Sequence, residues 1–299
     1  MIAILKRPPF IGIFAFMLVL LLQGLGHAQM VLQEKIFGEE YVFQSAAIMG
    51  VIGMALVYWG VRLNHNENAA TWLGFFGGTY IWDGWCEFSY VFYAHHLAVA
   101  NLVENREIVT RAEYLLMPSS IGVLLSTLVF FLFNRETRCN AFRWIHRNLH
   151  LPVGKPTLNY QRNISTIVAM ETVYLTWFFY LFLLIAYDKQ ILGDDHWAMY
   201  PILFMFIVWS VYLLNRLRKF SRLSSAFRYG IPTAIITWNT VEILGRWNIF
   251  TEVWIEPQKY TVQVLVILAA FITVAVIFAL FPSTEKPDED DRPTVQPAE

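Results

Sequence analysis

Apolar residues fall in blocks of membrane-crossing length, separated by short polar stretches. Predominantly apolar segments run over 43–63, 70–98, 115–134, 163–187, 199–217, 231–248 and 261–281. A helix rises about 1.5 Å per residue, so about 20 residues cross a hydrocarbon layer about 30 Å thick. Lipid cannot satisfy exposed backbone amides, which makes helices the expected structure for all seven. The pattern therefore predicts an all-α fold, a polytopic bundle of seven transmembrane helices. A further apolar run, IGIFAFMLVLLL, follows the basic start MIAILKRPPF and ends in small residues around Gly26-His27-Ala28. That order is typical of a secretory signal peptide. Residues 1–28 thus read as a leader cleaved before Gln29, with an uncleaved anchor helix as the alternative. The membrane domain is expected over 29–281. The Pro-rich, acidic stretch 282–299 is expected to be a disordered tail.

The loops divide by charge. Loop 135–162 carries Arg135, Arg138, Arg143, Arg147, Lys155 and Arg162 against Glu136, and the loop after 217 carries Arg218, Lys219, Arg222 and Arg228. The alternate loops carry Asp188, Asp194 and Asp195 against Lys189, and Glu252 and Glu256 against Lys259. Positive loops stay in the cytoplasm. The mature N-terminus is therefore expected outside and the C-terminus inside, in an inner (plasma) membrane. Lys6 and Arg7 stay inside without cleavage, so the seven helices keep this orientation either way. Within 139–150, Phe142, Ile145 and Leu149 are interleaved with Arg143, His146, Arg147 and His150. This spacing predicts a helix lying on anionic lipid headgroups, held by Arg143 and Arg147. An ordinary basic loop is the plainer reading.

Polar groups inside the spans are the candidate chemistry. A charge near the bilayer centre costs about 2.5–3.5 kcal/mol on insertion scales and usually faces a bundle interior or a wet cavity. Asp83, Glu87, Glu171, Glu242 and Arg246 are such groups. Counting from the inner ends of their segments, Asp83 lies roughly 20 Å up, Glu87 roughly 25 Å, Glu242 roughly 16 Å and Arg246 roughly 22 Å. Asp83, Glu87 and Tyr90 share one helical face; Asn239, Glu242 and Arg246 share another. Two polar stripes at one depth are expected to face each other across a pocket, with Arg246 paired to Glu87 or Asp83. Trp82 and Trp238 are expected to wall it. A buried polar network that only locks helices together is the competing reading. Trp82-Asp83 with Glu87, and Trp238-Asn239 with Glu242, also admit a 3+1+3 arrangement of two parallel triple-helix units, an architecture similar to that of SWEET-type transporters.

Composition narrows the classes. Hydrophobic residues make up 57% of the chain and charged residues 15%, against under half and about a quarter in soluble domains. Cys86 and Cys139 cannot build a disulfide framework. No P-loop, dinucleotide, CxxC or HExxH signature is present, and no basic footprint for nucleic acid. His95, His96 and His196 fall at one membrane face and are candidate ligands for iron, copper or zinc. No cofactor is otherwise indicated.

The stretch DGWCEFSY at 83–90 resembles the DWCE-x-N-Y stretch near the start of alkaline ceramidases, also seven-helix proteins. That resemblance implies zinc held partly by a late HxxxH pair, but no histidine follows His196 here. The last span also lacks the lysine of retinal proteins. The leading expectation is a polar pocket in the outer half of the membrane that binds or transports a small solute, ion or lipid headgroup. A membrane-embedded enzyme using these carboxylates, and a structural subunit of a membrane complex, are the alternatives.

Overall fold

The structure is a computed structural model that describes residues 8–104, 107–134, 136, 139–151, 157 and 160–279. The expected tail at 282–299 lies outside these, as do Lys6, Arg7, Arg135, Arg138 and Lys155.

The fold is helical apart from one small hairpin. Helices α1 (Phe10–Gly38) and α2 (Glu40–Arg62) come first. They form a tight antiparallel pair. Gln33 donates to the Ser45 hydroxyl at 2.8 Å and Gln29 to the Met49 sulfur at 2.9 Å. In a continuous helix the residues of the first pair would lie about 18 Å apart. The reversal occurs at Gly38, whose φ of 60° and ψ of −177° lie in a region essentially reserved for glycine.

Next comes one long rod: α3 (Glu67–Ile81), a π-helical turn (Trp82–Glu87) and α4 (Phe88–His96). Asn66 starts it by accepting the Ala69 N–H. Strands β1 (Leu102–Glu104) and β2 (Glu107–Thr110) pair antiparallel. Then follow α5 (Ala112–Leu132), α6 (Asn140–Leu149), α7 (Ile164–Tyr187), α8 (Met199–Leu217), α9 (Leu223–Arg246) and α10 (Thr261–Ala279).

Among the described residues, α1, α2, α5, α7 and α8 are the five helices long and apolar enough to cross a membrane. The apolar part of α10, Thr261–Ile277, is shorter. The α3–α4 rod and α9 are interrupted by the polar groups of interest. This is a multi-pass membrane architecture. Of the seven expected spans, α2, α5, α7 and α8 are among these five, and one boundary differs. Helix α9 starts at Leu223 rather than near 231 and carries Pro232 within it. Leu223, Ala226 and Phe227 are buried in the core, and that packing holds the turn before the proline in helical form. The fifth of these helices, α1, covers most of the expected leader. Ala15, Leu18 and Val19 are fully buried in the main core. Gly12 lies against the backbone of Leu217, and Ala15 against Gly230 of α9.

Small residues let the helices meet closely. A Cβ at Gly74 would lie 2.4 Å from the Ser165 carbonyl, and one at Gly78 would lie 2.7 Å from that of Ala169. The α3–α7 seam is thus backbone against backbone, the usual way helices associate in lipid.

The two ends of the bundle differ in charge. At one end Asn64 accepts the Ile164 N–H and donates to the Arg162 carbonyl, while Glu67 meets Arg222 and Arg228. At the other, Lys35 donates to Gln258, Arg111 approaches Glu34, and Arg246 pairs with Asp194. Arg162, Arg222 and Arg228 thus share the first end, and Asp194, Glu252 and Glu256 the second. Helix α6 hangs at the basic end, where the His146 ring hydrogen-bonds the Leu132 carbonyl.

Candidate functional site

The π-turn sets the site. The Phe88 N–H reaches back five residues to the Asp83 carbonyl, one residue further than in an α-helix. The wider turn rephases the rod. Thr79, Trp82, Asp83, Glu87 and Val91 line a single cavity. Tyr90, expected on that stripe, packs instead beside Met117, Leu124, Tyr174 and Leu181. Gly84 allows the turn to press on α2, since a Cβ there would lie 2.6 Å from the Ala46 carbonyl.

The cavity has a volume of about 750 Å³ and lies between α1, the α3–α4 rod, α5, α7 and α9. It reaches the acidic end, where Glu34, Lys35, Arg111, Glu252 and Glu256 form its rim. Its floor is built from three carboxylates. Glu87, 3% exposed, accepts from the Trp82 indole at 3.2 Å and from the Tyr180 hydroxyl at 3.0 Å. Tyr180 also lies 3.2 Å from the Tyr114 hydroxyl. Glu242 accepts from the Trp238 indole one turn before it. The His27 ring sits between the rings of Tyr180 and Trp238, with Nε2 3.5 Å from Glu242. Asp83 is 7% exposed, lines the cavity and has no hydrogen-bond or ion-pair partner among the described residues. Gly26 stands opposite, where a Cβ would come 4.0 Å from its Oδ2.

The structure brings the sequence candidates Trp82, Asp83, Glu87, Trp238, Asn239, Glu242 and Arg246 around this one space. Asn239 uses its amide on the Ile235 carbonyl of its own helix at 2.8 Å. Arg246 does not pair with Glu87 or Asp83. Its Nε meets Asp194 at 3.1 Å and its guanidinium lies 5.1 Å above the Tyr187 ring. The loop before α8 turns back at Gly193, where φ is 85°, and lays Asp194 on the end of α9. The Trp247 indole fixes the Asp194 carbonyl at 3.0 Å. At the rim, burial pushes the Glu252 carboxyl up to about 7; Glu242 adds to the shift and Arg246 opposes it.

The histidine cluster does not assemble. His95 and His96 are exposed at the end of α4, where His96 stacks on Phe92. His196 accepts the Ala198 N–H within its own turn. Among the described residues no group of three or more His, Cys, Asp or Glu side chains is placed to hold a metal. Glu171 lies elsewhere, in a small cleft with Arg228 and Pro232.

Sequence reasoning missed His27, Tyr180 and Tyr114. The leader reading removed His27 from consideration. A usable signal was present: Gln23, His27, Gln29 and Gln33 are spaced polar residues on an apolar segment. Nothing local distinguishes Tyr180 from the other aromatics of α7.

The chain matches no protein-family model, no curated protein and no solved structure.

Proposed function

We propose that this protein is a multi-pass inner-membrane protein whose outward-facing cavity binds, and passes on, a small solute, ion or lipid headgroup. One observation carries the reading: a cavity of about 750 Å³ floored by Asp83, Glu87 and Glu242. Sites for small molecules usually have volumes of about 300–1,000 Å³ and place a few polar groups in aromatic or apolar walls. A network that served only to lock helices together would be closed over its own donors and acceptors. Asp83 instead has no partner among the described residues and faces open space. The charge sorting of the loops supports placing the acidic end outside and the basic end in the cytoplasm, with Arg143 and Arg147 of α6 at anionic headgroups.

The test uses single cysteines at Val91 and Leu183, both on the cavity wall, in a background without Cys86 and Cys139. A membrane-impermeant thiol reagent added outside is expected to label both. Absence of labelling from either side would mean a dry interior, and the structural-subunit reading would replace this one.

A further inference from the structure

Building on that solute-site reading, we infer that the solute is an organic cation, its ammonium group seated among Asp83, Glu87 and Glu242 and its apolar body against Trp82, Trp238 and Trp254. The charge census of the cavity leads there. The floor carboxylates receive hydrogen bonds only from neutral donors, Trp82 and Tyr180 on Glu87 and Trp238 on Glu242. Of the basic side chains around the cavity, Arg246 is held by Asp194 at 3.1 Å, Arg111 by Glu113 and Glu34 at 3.8 and 3.9 Å, and Lys35 by Gln258 at 2.9 Å. His27, 3.5 Å from Glu242, is the one side chain able to bear a positive charge within ion-pair range of the floor, among the described residues.

Asp83 supplies an independent observation. The residue is more than nine-tenths buried and its carboxyl accepts no hydrogen bond from the described residues, yet it borders the cavity. A buried carboxylate calls for a partner, and here that partner must come from what enters the cavity. A cation satisfies it, whereas an anion would meet three acids. The volume and the walls narrow the class further. A bare metal ion would use a small part of about 750 Å³, and among the described residues no group of three or more His, Cys, Asp or Glu side chains is placed to hold one. The Trp238 and Trp254 rings lie 4.9 Å apart at 50° to each other, and indole faces attract ammonium groups. Gly24 on α1 lies against both rings: a Cβ there would meet the two indoles in ordinary contact, at 3.4 and 3.5 Å.

The experiment titrates the full-length protein in an uncharged detergent and follows tryptophan fluorescence. The probes are benzyltrimethylammonium, benzyl alcohol and benzoate. The cation is expected to give a saturable change at least tenfold tighter than the alcohol, with none from benzoate. Asp83→Asn is expected to weaken the cation at least tenfold and leave the alcohol unchanged. A short-chain phosphatidylcholine, added in parallel, separates two sources of the same group. Tighter binding than the free cation assigns a lipid headgroup, weaker binding a soluble amine, and both support the inference. Benzyl alcohol or benzoate binding as tightly as the cation overturns it while leaving the solute site standing. If no probe binds although the cavity cysteines are labelled, the cation inference alone falls. The comparison of probe charges needs only the wild-type protein, so a poorly folding Asp83→Asn variant does not block the test.

Discussion

At the scale of the residue, the carboxylates have separable roles. Glu242 is held by one indole hydrogen bond, with His27 Nε2 3.5 Å away. Replacement by Gln is nearly isosteric and keeps the indole bond. Glu242→Gln is therefore expected to leave expression and melting temperature near wild type while abolishing solute binding in the titration. Unchanged binding in this variant would remove Glu242 from the site. Arg246 gives a stability prediction. Losing a charged hydrogen bond costs about 1.5–3 kcal/mol, so Arg246→Ala should lower the melting temperature. Asp194→Asn in the same background should cost little more, whereas Glu87→Gln should add its own cost in full. An additive Asp194 effect would deny the pairing. Glu252 gives a pH dependence. Its folded-state value, about 7, lies above the ordinary 4.5. The folded state then binds more protons than the unfolded state between those values. Stability from this group is full below about 4.5 and falls as pH rises to about 7. Melting temperature is expected to drop over that window, and Glu252→Gln should flatten the drop; an identical slope in the variant would assign it to other groups.

At the scale of the element, α1 decides between the leader and the anchor-helix readings. A leader has no reason to be packed, yet Ala15, Leu18 and Val19 are fully buried, and His27 reaches the cavity floor. The mature protein is expected to retain this helix. Intact mass of a C-terminally tagged preparation checks it: a mass lacking residues 1–28 would return α1 to the role of leader and take one wall from the cavity. The α3–α7 seam is a second element-scale test. Gly78→Val places side-chain atoms where the Ala169 backbone lies, and overpacking of this kind costs about 1–3 kcal/mol. A clear fall in melting temperature is expected, against little change for Gly122→Ala, where a Cβ meets nothing within 4 Å.

At the scale of the whole molecule, the arrangement is polarised, basic at one end and acidic with an open cavity at the other. Reporters fused in 135–162 or 218–222 are expected to report cytoplasm, and those in 188–198 or 247–260 the opposite side. A reversed pattern at two of these loops would turn the cavity toward the cytoplasm.

The helices and the two polar stripes were legible in the sequence because both depend on local spacing. Long apolar runs leave the backbone no partner but itself, and residues three or four apart share a face whatever surrounds them. Asp83 with Glu87, and Asn239 with Glu242, could be placed on stripes at similar depth for that reason. The π-turn that sends Tyr90 away from the cavity was not legible, because it arises where Gly84 meets the backbone of α2. Nor could spacing decide that Arg246 pairs with Asp194 across a loop, that Tyr180 reaches Glu87 from α7, or that an apparent leader supplies His27. These are distances between elements, set by which surfaces exclude one another when the helices pack. The sequence determined a helical chain with runs apolar enough to cross a membrane and acids on the faces of two helices; only the packing of α1 and α7 against the α3–α4 rod and α9 brought those acids around one cavity.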